Sequence, residues 1–482
     1  MALYLNNNLD YYLLVFKMNM IPNPTFLSLF TKHSLSVDRL WDMNSEKLRK
    51  YQTKSLKKII EYAKDTSLYQ KKFKKSKIDV DAINDISDIN KIPFTTKQDL
   101  RDYGIKGTLP STFDVKKGYK VDTSGSTGKP VSIYRDINAI ALEMTTTSRM
   151  MLSHGLSSVK TRISNVGDFS LANSYDEECI TKGVTEQMGL LGPLYKSRIQ
   201  NLFTGKEISK IMQDLEEFRP DIFIAYPGTL IGLMQLKNEG FGENLNPSHI
   251  VYSGGVLDPY SKKQIENAFD AHVFGLYTGT ESGVIAFQCP YGNYHVQSDL
   301  VHIDAVDSKG KSVSSGEHGH IVITRLYGGG TPIIRYTGMD DIITPLDGEC
   351  ECGMHSPLIK NVEGRKADSI VLPDGRIFPA ATFTLIPGEV AQEIGVDIIH
   401  RFQIIQHKKD HLELLIVINK DKRKSVKSVK KILNEIKNRY KKLVGKEVQV
   451  DIKEVDKVKE DKRTPLNLSS IVISHVDHKD WF

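Results

Sequence analysis

Apolar positions fall at helical spacing between residues 45 and 75, where Leu48, Leu56, Ile59, Ile60 and Ala63 line one stripe among lysines and glutamates. From 80 to 300 the period changes. Helical stretches alternate with short β-branched runs, among them DIFIAYPG, HIVYSGG and AHVFGLYTG, each ending in glycine where a strand hands over to a loop. That alternation predicts α/β layers with partly parallel sheets. Ligands in such folds collect at the carboxyl ends of strands, which is where these glycine loops fall. From 301 to 345 strands dominate (GHIVITR, TPIIRYTG), predicting a small β-barrel-like part.

A separate unit follows VEGR. Its pattern gives a helix near 381 to 394, strands in IIHRFQIIQH and HLELLIVINK, a long helix and a strand in EVQVDIKEV. The long helix carries Val426, Val429, Leu433, Ile436, Tyr440 and Leu443 along one stripe, with lysines opposite. This predicts a small α+β domain of ferredoxin-like type. The expected organisation is a large domain over residues 1–363 and a small C-terminal domain over 364–482.

Composition changes this picture little. A chain of 482 residues exceeds one small core, and 40% hydrophobic with 26% charged residues is ordinary for a soluble globular protein. The net charge of +6 is uneven: residues 420–463 hold 17 Lys and Arg against 8 Asp and Glu. Such a segment is either a solvated helical face or an attractor of a phosphorylated substrate. Aromatics are not interleaved with the basic residues, so nucleic-acid binding is not expected. The apolar run in MALYLNNNLDYYLLVFKMNMIP is too short to span a bilayer and lacks a basic flank and a cleavage site. No other window reaches spanning length, and a cytoplasmic protein is expected. Four cysteines do not make a disulfide framework, leaving thiols free or metal-bound.

The chemistry concentrates in VDTSGSTGKPVSIYRD, residues 121–136. Gly125 and Gly128 let the backbone approach an anion closely. Thr123, Ser124, Ser126 and Thr127 offer hydroxyl donors, and Lys129 a cation. The glycines are three apart, Pro130 follows the lysine, and VSIYRD reads as a strand, so this is not the Walker loop of a P-loop NTPase.

TSGSTGKP resembles the nucleotide loop of the adenylate-forming superfamily, the acyl-CoA synthetases and their relatives. YTGTES resembles that family's Y-G-x-T-E motif, which implies that Tyr277 lies near adenine, Thr280 meets phosphate and Glu281 holds Mg²⁺. RYTGMDD resembles the R-Y-x-x-G-D motif, implying Asp340 at the ribose hydroxyls, with Met339 where the pattern has Gly. GRKAD resembles the hinge motif, with Arg365 near the ribose and Asp368 as the pivot. Gly254 and Gly255 in SGGVLDP stand where relatives lay adenine on the backbone, and YPGTL (Tyr226 to Leu230) where they line the acyl pocket. ISNVGDFSLANS offers Phe169 as a further pocket wall, and a polar lining such as Asp168 would argue against a plain aromatic acid. Within the superfamily, KIIEYAKDTSLYQKKF and IPFTTKQDL resemble the phenylacetate–CoA ligase branch, which includes coenzyme F390 synthetases and capsular-biosynthesis homologues.

The resemblance implies ATP-dependent adenylation of a carboxylic acid, in first place an aryl acid, followed by transfer to coenzyme A after rotation of the small domain. ATP, Mg²⁺ and coenzyme A are the implied cofactors, a small acid the partner, and a homodimer remains open. Two other readings stand beside it: an F390-type adenylyltransferase moving AMP to a hydroxyl, and a nucleotide-binding homologue without catalysis. The family's C-terminal lysine falls on Leu468 when IVISHV is taken as the closing strand. Either Lys462 substitutes from a shifted loop or adenylation is slow or lost. Cys289 and His295 in CPYGNYH, with Cys350 and Cys352 in CEC, make a tetrahedral set for a structural Zn²⁺. The alternative is free thiols, and His302 and His355 are rival fourth ligands. Cys179 lies outside any cluster.

Overall fold

The computed structural model describes residues 22–77, 79–122, 131–168, 184–394, 398–419, 423, 428–459 and 471–476. The predicted helical stretch at 45–75 is two helices, Ser45–Ala63 and Ser67–Lys75. The break falls at Thr66, whose backbone is extended and whose hydroxyl accepts the Tyr69 N–H as an N-cap. Leu48, Leu56, Ile59, Ile60 and Ala63 are all buried, as their spacing predicts.

Strands β1 (Tyr119–Asp122) and β2 (Ser132–Arg135) pair antiparallel, with Asp122 opposite Ser132. The glycine- and hydroxyl-rich stretch between them, with Thr123 to Lys129, lies outside the described residues.

An 11-stranded sheet forms the centre of the molecule. Its first half comprises β3 (Ile163–Gly167), β4 (Ile199–Phe203), β5 (Ile222–Ala225), β6 (His249–Ser253) and β7 (His272–Gly279). These five run parallel in the order β4-β3-β5-β6-β7. The second half is antiparallel: β8 (Gly283–Gln288), β9 (Tyr294–Val296), β10 (Val301–Val306), β11 (Gly319–Arg325), β12 (Asp341–Leu346) and β13 (Leu358–Arg365), in the order β8-β9-β13-β12-β11-β10. The switch lies at β7, parallel to β6 on one side and antiparallel to β8 on the other. One apolar core, with Phe223, Leu230, Ile250 and Val273, serves the parallel half. Another, with Ile285, Ile323, Ile333 and Tyr336, serves the antiparallel half together with the N-terminal helices.

Past a short hairpin of β14 (Ile370–Val371) and β15 (Ile377–Phe378), the C-terminal stretch builds its own sheet. β16 (Ile399–Lys408), β17 (His411–Ile418), β18 (Gln449–Glu454) and β19 (Val472–Ser474) are ordered β18-β17-β16-β19. Helices Ala380–Ile394 and Val429–Val444 share a core with Ile404, Leu414 and Ile416. In the long helix the deepest positions are Ile432, Ile436, Tyr440 and Val444, and Val429, Leu433 and Leu443 pack at its margins. The buried stripe is therefore centred beside the predicted one; Val426 lies outside the described residues. Each such Ile or Val contributes on the order of 1.5–3 kcal/mol by leaving water, so an acid at Ile436 would unseat this helix.

Candidate active site

The carboxyl ends of β5, β6 and β7 open onto a cavity of about 1380 Å³. Three turns reach it, and each is built by its local sequence. After β5, Pro227 starts a helix at its first turn, where a missing N–H costs nothing, and leaves Tyr226 at the mouth. After β6, Gly254 has φ +70°, and a Cβ there would stand 2.5 Å from the Tyr226 ring. Only glycine fits that turn. After β7 the chain reverses directly into β8: Gly279 faces Gly283, and Thr280, Glu281 and Ser282 form the hairpin tip.

The tip is held from several sides. Glu281 is only 5% exposed, and Tyr336 Oη donates to its Oε1 at 2.7 Å. Burial and the Glu281 charge push the Tyr336 phenol far up, which keeps it a donor. Arg135, at the end of β2, donates to the Thr280 carbonyl and pairs with Glu143 at 2.5 Å. Tyr327 Oη adds contacts to Glu143 (3.2 Å) and the Ser282 carbonyl (3.1 Å). The second Glu281 oxygen takes no hydrogen bond among the described residues. A buried carboxylate with one oxygen anchored and one open fits a hard divalent cation completed by phosphate oxygens and water.

Tyr277 is buried on β7, and its phenol donates to Asp341 Oδ2 at 2.8 Å. Burial raises the Asp341 carboxyl to about 6. Asp341 lies opposite Arg365 in the β12–β13 register. Its neighbour Asp340 has φ 59° and a half-exposed side chain, and its carbonyl accepts the Lys366 N–H at 2.7 Å. Met339 replaces the expected glycine and rests its sulfur 3.9 Å from Ser282 Oγ. A Cβ at Gly279 would sit 2.6 Å from the Met339 methyl, so the missing side chain at 279 makes room for the extra one at 339.

Tyr226, Gly254, Gly255, Tyr277, Thr280, Glu281, Asp340, Arg365, Asp368 and Asp168 all line this one cavity. Lys462, Leu468 and Phe169 lie outside the described residues. Sequence reasoning missed Arg135, Tyr336 and Asp341. Tyr336 and Asp341 lie within the RYTGMDD motif that placed Asp340, and Arg135 lies within VDTSGSTGKPVSIYRD, so membership of a recognised stretch was the available signal. Phe30, Ile140, Met144, Met188 and Tyr195 form an apolar wall of the cavity.

The cysteine cluster lies away from this cavity. The ligand atoms of Cys289, His295, Cys350 and Cys352 fall within 4.8 Å of one another. Cys289 Sγ is 3.7 Å from Cys350 Sγ, and Cys352 Sγ is 3.2 Å from His295 Nε2. His295 Nδ1 meets Ser356 Oγ at 3.1 Å, orienting the ring, and burial holds the imidazole neutral, down to about 4. Three sulfurs and a neutral imidazole at this spacing fit a closed tetrahedral zinc. His302, on β10, and His355, exposed in the loop before β13, are not part of the cluster. Cys179 lies outside the described residues.

No protein-family model matches the chain. The phenylacetate–coenzyme A ligase of Escherichia coli strain K12 is 23% identical over 433 residues, covering 85% of this chain and 91% of that protein. The enzyme of the same name from Thermus thermophilus is 22% identical over 385 residues, covering 76% and 80%. Among solved structures, 2-hydroxyisobutyryl-CoA ligase in the postadenylation state with 2-HIB-AMP superposes with a TM-score of 0.71 at 17% identity, covering 86% of this chain and 87% of that one. The same ligase with 2-HIB-AMP and CoA in the thioesterification state gives 0.58 at 17% identity, with 90% of each chain covered. The fold is that of 2-hydroxyisobutyryl-CoA ligase.

Proposed function

We propose that this chain, a relative of the phenylacetate–coenzyme A ligases in the adenylate-forming superfamily, activates a carboxylic acid with ATP and hands the acyl group to coenzyme A. The observation that carries the reading is the convergence of Tyr277, Thr280, Glu281, Asp340 and Arg365 on one cavity at the switch from parallel to antiparallel strands.

In the first half-reaction a carboxylate oxygen attacks the α-phosphorus of ATP, the bond to pyrophosphate breaks, and acyl-AMP remains. Both reactants are anions, so their approach requires charge neutralisation and alignment. Glu281 would hold Mg²⁺, which neutralises phosphate charge. Tyr336 keeps the Glu281 carboxylate aimed, and Arg135 fixes the backbone of Thr280 beside it. The hydroxyl-rich loop, Thr123 to Lys129, would embrace the phosphates, with Lys462 the cation assigned to the C-terminal loop. Gly254 and Gly255 leave space for adenine next to Tyr226 and Tyr277, and Asp340 with Arg365 would take the ribose. The apolar wall of Phe30, Ile140, Met144, Met188 and Tyr195 favours an aryl acid, and Asp168 on the same cavity argues against a plain, unsubstituted one.

In the second half-reaction the thiol sulfur of coenzyme A attacks the acyl carbonyl, the bond to AMP breaks, and the thiol proton leaves. Residues 364–482 would turn about Asp368 between the two steps, as a mobile domain beyond residues 1–363. Cys289, His295, Cys350 and Cys352 would hold Zn²⁺, which ties the loop after β8 to the loop before β13 and takes no part in the chemistry.

The test is acid-dependent exchange of labelled pyrophosphate into ATP over a panel of aryl and fatty acids, then acyl-CoA formation on adding coenzyme A. Exchange with at least one acid, and thioester from it, is expected. Bound ATP with no exchange across the panel would refute adenylation.

A further inference from the structure

The cavity is also walled from the small sheet. His400, Arg401 and Phe402 enter it near the start of β16, and Ile471 and Val472 where the chain rejoins the sheet at β19. β19 runs parallel to β16, with Ile404 N–H bonded to the Ile471 carbonyl at 2.8 Å.

Arg401 differs from the buried arginines. Arg149 is held by Asp299 and Gln297, Arg325 by the Thr331 carbonyl, Arg335 by the Asn90 and Ile92 carbonyls, and Arg135 by Glu143. Arg401 is partly buried against the cavity, and its guanidinium forms no hydrogen bond or ion pair among the described residues. Burial draws its pKa down, with no carboxylate offsetting that effect. Its neighbour His400 feels the positive charge of Arg401 and the negative charge of Glu239, and no carboxylate acts on Arg401 itself. A guanidinium taken partly out of water without a partner is unfavourable. A planar fork of N–H donors is, however, well matched to a phosphate, which would satisfy both its charge and its geometry.

We infer that Arg401 is an anion-binding residue that the small sheet contributes to the cavity, and that it takes a phosphate group of a bound substrate. The inference rests on the proposed adenylating function for the identity of that substrate: ATP and coenzyme A are the two phosphate carriers, and the test separates them.

The full chain is compared with Arg401→Gln and Arg401→Lys by calorimetric titration with Mg-ATP and, separately, with coenzyme A, alongside thermal unfolding without ligand. Arg401→Gln is expected to weaken one of the two ligands about 10- to 100-fold, the loss of a charge-assisted hydrogen bond. Arg401→Lys keeps the charge without the fork and should weaken the same ligand several-fold. Unliganded Tm should hold or rise in Arg401→Gln, because an unpaired desolvated charge has been removed. Dissociation constants within about twofold of the parent for both ligands would overturn the assignment. So would a fall in unliganded Tm with binding unchanged, which marks a structural role. If Arg401→Gln does not fold, Arg401→Lys decides: equal binding overturns the inference. A parent chain that binds ATP but shows no acid-dependent exchange refutes the adenylating function and leaves the Arg401 comparison to stand on binding. A parent chain that binds neither ligand overturns both.

Discussion

Asp341→Asn isolates the charge beneath Tyr277. The amide keeps an oxygen where Tyr277 Oη donates at 2.8 Å, so the hydrogen bond survives and only the ionisation is lost. The carboxyl is raised by burial from 3.8 to about 6, with Tyr277 and Arg365 opposing the rise. A folded-state pKa above the unfolded one means that the folded chain holds the proton more tightly. The corresponding stability is fully present below about pH 4 and is lost as pH rises through 6. Roughly two pKa units at 1.36 kcal/mol each come to about 3 kcal/mol. The amide has no such loss. The Tm of Asp341→Asn, taken relative to the parent at each pH, should therefore climb between pH 4 and 7. At roughly 2 °C or more per kcal/mol in units of 150–250 residues, the climb should be several degrees. Thermal unfolding followed by circular dichroism at pH 4, 5, 6 and 7.5 measures it. A Tm difference that stays flat across that range would refute the reasoning, because Asp341 would then titrate alike in the folded and unfolded chains.

Tyr336→Phe removes the donor that aims Glu281; adenylation should fall about 10- to 100-fold, with a higher Mg²⁺ requirement, as a magnesium titration of pyrophosphate exchange would register. Unchanged magnesium dependence would count against Glu281 as the metal-holding carboxylate. Gly254→Ala forces a Cβ into the Tyr226 ring at positive φ, so ATP affinity should drop by about tenfold or more in calorimetry while the sheet still folds. Elemental analysis of the purified chain should find one zinc, and Cys352→Ser should lose it and unfold at lower temperature; metal-free parent protein would exclude the ligand set.

The motifs were legible wherever one stretch of chain carries both the special residue and its neighbours. YTGTES contains its own hairpin tip, and SGG contains its own left-handed turn, so Glu281 and Gly254 could be named before any strand was paired. The cysteine pairs could be named too, because their spacing is local within each loop. What holds these residues was not legible. Tyr336 reaches Glu281 across 55 positions, Tyr277 reaches Asp341 across 64, and Arg135 reaches Thr280 across 145. No periodicity encodes those distances, since each depends on which strands become neighbours. The break at Thr66 was a milder case: apolar spacing ran through it, while the capping hydroxyl ended one helix and began the next.

The sequence by itself determined the α/β alternation and the strand and helix pattern of the C-terminal stretch, while the groups assigned to a nucleotide came from the resemblance of TSGSTGKP, YTGTES, RYTGMDD and GRKAD to a family's motifs. The alternation and the pattern follow from short-range physics: side-chain period and glycine's freedom in φ. Only the tertiary structure decided that β7 is the strand where parallel pairing gives way to antiparallel, which puts Glu281 at the mouth of the cavity. It alone placed an arginine of the small sheet, unpaired among the described residues, in the wall of the same cavity. Burial and pairing are properties of the assembled chain, and they set whether a charge is spent within the fold or left for a ligand.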